Sequence, residues 1–145
     1  MQRVVRIVWV DEWQVQCCGD PFEEGQEVTW SLAAVRERFG IGRPTDAVGH
    51  DVARRITHVE DHHDVLSQGT SAVRGRVVSL LRASCRFAPR PGRGADRALH
   101  PVPGSAVLQK VTRAAGREAA GREAAAPGLR VIGYVVELRV AAPEP

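Results

Sequence analysis

The sequence predicts a mainly β protein, a small, partly closed β-barrel of about six strands with at most one short helix. Three observations lead there. Period-two alternation of apolar and polar residues recurs along the chain. Gly, Pro and Asp clusters separate the alternating runs. Patterns of period 3.6 are scarce.

The elements follow in order. In Val5–Trp9, Val5, Ile7 and Trp9 share one face, and Val4, Val8 and Val10 the other. Trp13, Val15 and Cys17 share a face if the next segment is extended, with Gly19-Asp20-Pro21 as a tight turn before Phe22. Gly25 opens Glu27–Leu32, which alternates strictly and puts Val28, Trp30 and Leu32 on one side. Ser31–Gly40 admits one short helix, since Leu32, Val35 and Phe39 fall at i, i+3 and i+7; the same residues also suit an extension of the strand. Phe39–His50 reads as loop. Val73–Ala88 is the longest pattern, a long strand or two strands joined by a bend near Ser79. Its odd positions are largely apolar, and its even positions carry Arg74, Arg76, Arg82 and Arg86. Residues 88–104 are a Pro/Gly-rich loop without regular structure. Residues 113–128 hold a tandem Ala-Ala-Gly-Arg-Glu repeat, too short in period for a solenoid unit, and read as a low-complexity loop. Leu129–Val140 is apolar on both faces and reads as a central strand. The expected core is Val5, Ile7, Trp9, Trp13, Val28, Trp30, Val77, Leu81, Cys85, Phe87, Ile132, Tyr134, Val136 and Leu138.

The whole chain, 1–145, is taken as one domain. At that length roughly 70% of the unfolded surface is buried on folding, so neither metal nor disulfide is required. Three cysteines, two of them adjacent, make a poor disulfide framework. With no signal-peptide pattern and no run of about 20 apolar residues, a cytoplasmic protein away from membranes is expected. Charge is uneven. Residues 1–66 carry 12 of the 17 acidic residues, whereas the rest of the chain carries 13 of the 20 basic ones. Such asymmetry marks either an anionic partner or two oppositely charged, solvated faces, and the net charge of +3 is mild beside that of a dedicated nucleic-acid binder.

The string Val10-Asp11-Glu12-Trp13-Gln14-Val15-Gln16-Cys17-Cys18-Gly19-Asp20-Pro21-Phe22 concentrates the rare residue types. Together with Gly25–Trp30, Glu60-Asp61-His62-His63, Cys85-Arg86-Phe87, Pro101–Ser105 and Gly133–Leu138, it resembles a family of small actinobacterial proteins of unknown function. The family carries a Trp-x-x-x-Cys-Cys-Gly-x-Pro-Phe motif. The resemblance spans nearly the whole chain. It implies one all-β-leaning domain and supplies no activity. The pentapeptide repeat departs from the family's pattern.

Three functions are weighed. With no nucleophile–base motif and no cofactor fingerprint, the expected function is a non-catalytic binding or interaction module for a protein or nucleic-acid partner. The first alternative is a zinc-type metal protein or metal-dependent enzyme using His58 and His62 with Cys17 or Cys18. On a strand, His58 and His62 project to one side, and zinc takes four such donors or three plus water. Against it, no Cys-x-x-Cys or His-Glu-x-x-His occurs, and the adjacent cysteines point to opposite faces, leaving Cys18 as the outward thiol. The second alternative is nucleic-acid binding through Arg74, Arg76, Arg82 and Arg86 as a comb on one strand face. Against that, Trp13, Trp30 and Phe87 fall on apolar faces and offer no stacking platform.

Overall fold

Alternating runs whose apolar faces must be covered can bury them by closing on themselves, and the computed structural model of the chain shows this outcome. It describes residues 3–12, 15, 21–35, 47–60, 70–89, 92, 97–114 and 128–141. Five strands close a barrel: β1 (Arg3–Asp11), β3 (Glu27–Ala34), β4 (His58–Glu60), β5 (Thr70–Cys85) and β10 (Arg130–Ala141). Around the ring the order is β10-β1-β4-β3-β5, and β5 closes back onto β10. All neighbours are antiparallel except β1 and β4, which run parallel. β8 (Val107–Val111) adds a sixth strand to β5 beyond the stretch paired with β3. Two short ladders complete the fold. β2 (Phe22–Glu23) pairs with β9 (Arg113–Ala114), and β6 (Phe87–Pro89) pairs with β7 (Leu99–Pro101). The ladder from β1 to β10 is continuous from Arg3 opposite Ala141 to Asp11 opposite Gly133.

β5 is one strand of 16 residues, bent where the alternation suggests it. Its pairing with β10 slips between Val77 and Ser79, which leaves Val78 as an extra residue. A bulge of this kind exchanges the two faces of a strand. Val77 faces the barrel interior before it and Leu80 faces the interior after it. A second slip, at Ile132 in β10, turns Ile132 outwards while Val131 stays against the inner core.

The inner core is Val8, Val10, Val28, Leu32, Val77, Leu80, Tyr134, Val136, Leu138 and Val140, joined by Val15, Phe22 and Ala114 from outside the five strands. Phe22 meets Trp30 edge-on at 4.9 Å and Tyr134 at 6.0 Å. A second core lies on the outer wall. There Trp9, Val59, Ala83, Cys85, Ile132 and Val135 are covered by Ala47, Val48 and Ile56. Backbone bonds hold this cover down, from Ala106 N–H to Ala47 O at 3.0 Å and from Thr57 N–H to Ile7 O at 2.8 Å.

Several expectations change. Val5 is 45% exposed rather than core, because the outer cover does not reach that end of β1. Residues 88–104 are not wholly irregular, since β6 and β7 pair across them. The helix α1 (His50–Ala53) lies outside Ser31–Gly40, where β3 instead continues to Ala34, and Glu12 and Val15 are helical rather than extended. Trp13, Cys17 and Gly19-Asp20 of the turn segment lie outside the described residues, as does the pentapeptide repeat from 115 onwards. Phe22 is buried as expected.

Candidate functional site

The expected arginine comb is broken by the bulge in β5. Arg74 and Arg76 precede Val78 and are exposed on the outer wall. Arg82 follows it, shares a face with Tyr134, and is only 6% exposed, with Nη2 donating to Gln109 Oε1 at 2.8 Å. Arg86 is exposed, beyond the end of the strand. The four therefore do not line one surface.

A different set of arginines does converge. Arg76 stands directly opposite Arg139 in the β5–β10 ladder, and opposite Glu27 in the β3–β5 ladder. Arg74, two residues along, forms an ion pair with Glu27. Glu27, Arg74, Arg76, Arg139, Val140 and Ala141 line an open groove of about 300 Å³. Between the two β5 arginines, Gly75 turns inwards, where an added Cβ would lie 2.9 Å from side-chain carbons of both Leu138 and Val140. The groove forms where pairing with β10 stops at Gly75 while β5 runs on towards Thr70. Sequence reasoning missed Arg139. Its alternation with Val140 and Leu138 marks it as outward, but only the strand order brings it to Arg76.

Of the metal-ligand candidates, only His58 is described; Cys17, Cys18, His62 and His63 lie outside the described residues. His58 is half-buried on β4 beside Val8, with Nδ1 2.8 Å from Thr57 Oγ1. Burial, and then the nearby Arg6 charge, lowers its pKa and favours the neutral imidazole. Glu60, two residues on, is buried at 3% exposure beside Leu32. Among the described residues, no group of three His, Cys, Asp or Glu is placed to hold an ion. No described helix is long and apolar enough to cross a membrane.

A family model described as a family of unknown function (DUF6578) matches residues 4–140. The chain belongs to that family. The match runs from β1 to the penultimate residue of β10, so the DUF6578 unit includes the whole five-strand barrel together with β8. Comparison with the curated proteins and with the solved structures gave no match.

Proposed function

We propose that this DUF6578 chain is a non-catalytic binding module whose partner is anionic, and that nucleic acid is the partner class its outer wall suits. Side chains fill the barrel interior, which leaves the wall as the surface for recognition. The second core covers part of that wall. Outside that cover the wall carries Arg74, Arg76 and Arg139, all exposed. The observation that carries the proposal is the Arg76–Arg139 pair: two like charges directly opposite each other, beside a groove, with no ion-pair or hydrogen-bond partner among the described residues. Backbone phosphates are bound by such clusters without any need for stacked aromatics.

The test is fluorescence anisotropy of a labelled single-stranded oligonucleotide with the full chain, across a salt series. Binding that weakens steeply with salt is expected. Absence of binding at low salt, to the oligonucleotide and to heparin alike, would remove the anionic partner.

One observation keeps the zinc alternative. Burial, and then the Arg6 charge, lowers the His58 pKa and so favours the neutral form that ligates a metal. Elemental analysis of the purified chain decides it: stoichiometric zinc that disappears in a His58→Ala, His62→Ala variant would establish a metal protein, and zinc-free protein would end that alternative.

A further inference from the structure

We infer that Arg76 and Arg139 form a clamp for a single phosphate group, seated in the groove beside the Arg74–Glu27 ion pair. The inference rests on the anionic-partner proposal and names the chemistry at its centre.

Residues directly opposite in an antiparallel ladder have Cα atoms roughly 4.5–5.5 Å apart. Two outward guanidinium groups rooted there reach the same tetrahedral oxyanion from two sides. Like charges in such a position destabilise a sheet. An anion between them turns that repulsion into two attractions. Glu27 is the carboxylate placed to relieve Arg76, being its cross-strand neighbour on the other side. It is instead engaged diagonally by Arg74. The acid is thereby occupied, and Arg76 and Arg139 are left facing each other.

Arginine at both positions suits phosphate, since the planar fork donates two parallel N–H bonds to a pair of phosphate oxygens. Two such forks match a group with three or four oxygens better than a carboxylate with two. The groove is open along one side, so the remainder of a larger ligand can run on over the wall. A free phosphate, a small monoester and one link of a single strand present the same chemistry to the clamp, and the probes separate them.

The experiment uses the full chain with two probes: inorganic phosphate, by calorimetry in chloride buffer, and a single-stranded oligothymidylate, by anisotropy. Variants are Arg76→Gln, Arg139→Gln and Arg139→Lys, with Arg54→Gln as control, because Arg54 is an exposed arginine paired with Asp51 on α1. Circular dichroism confirms that each folds. Both Gln variants are expected to lose phosphate binding about tenfold or more, and Arg139→Lys to fall between, keeping the charge without the fork. For the oligonucleotide, each Gln variant should reduce the slope of log K against log salt by about one. The control should match the parent chain. Phosphate binding without oligonucleotide binding keeps the clamp and assigns it to a small phosphorylated ligand. Oligonucleotide binding that ignores both Gln variants overturns the clamp while leaving the anionic partner standing. Binding of neither probe overturns both.

Discussion

Trp9 lies against Gly133 across the β1–β10 ladder so closely that a Cβ on Gly133 would sit 2.5 Å from Cζ2 of the indole and 2.5 Å from the Val10 carbonyl oxygen. The ring is fixed in place, because its Nε1–H donates to Asp11 Oδ1 at 2.9 Å. Gly133→Ala is therefore expected to destabilise the fold by about 1–3 kcal/mol, the usual cost of overpacking. Urea melts of the two proteins measure it. An unchanged midpoint would mean that both the indole and the Val10 carbonyl give way at no cost.

Phe22 fastens the connection between β1 and β3 to the inner core by its edge-to-face contacts with Trp30 and Tyr134. Phe22→Ala should cost about 3–5 kcal/mol. It should also reduce the near-ultraviolet dichroism of the aromatic cluster before any loss of β signal. A variant as stable as the parent would show that Phe22 is dispensable to the core.

How much of this was legible in the sequence depends on where alternation is unbroken. It places Val28, Trp30 and Leu32 on the inner side of β3, since nothing interrupts the pleat. The bend near Ser79 is visible too, but its effect on facing is not. One extra residue at Val78 reverses every later side chain, so Arg82 is buried where plain alternation exposes it beside Arg74. Leu81 and Cys85 are apolar for a second reason, the outer core, of which a single strand's pattern gives no sign. The arginine groove is half legible: Arg74 and Arg76 stand out in the alternation of β5, whereas Arg139 joins them only through pairing between distant segments.

The pH dependence of stability should carry a contribution from His58. Its pKa is lowered in the folded chain by burial and by Arg6, so the unfolded chain binds the proton more readily. The stability associated with the neutral ring is thus present above the ordinary histidine value of about 6.5 and is lost as pH falls from there towards the folded value. Denaturant midpoints measured from neutral to acid pH should show this loss, and His58→Gln should flatten that part of the profile. Identical profiles for both proteins would assign the acid sensitivity elsewhere.

Cys85 is fully buried in the outer core, and burial raises its thiol pKa. Both facts withhold the thiolate from reagents. Alkylation of the native chain followed by peptide mass spectrometry should find Cys85 unmodified until denaturant opens the cover formed by Ala47, Val48 and Ile56. Cys85→Ser should cost about 1–3 kcal/mol, by burying a hydroxyl in a largely apolar site where the Ser105 side chain is a polar neighbour. Rapid native labelling would show that the cover opens without global unfolding.

Arg3 and Ala141 are partners in one ladder, so the first and last described residues stand opposite each other. A permuted chain in which a linker joins Ala141 to Arg3, with new termini opened in another loop, would keep every strand pairing of the barrel. The same adjacency has a practical side. Ala141 lines the arginine groove, so a linker joined to it would start at the rim of the proposed phosphate site, and its length and charge would bear on access there.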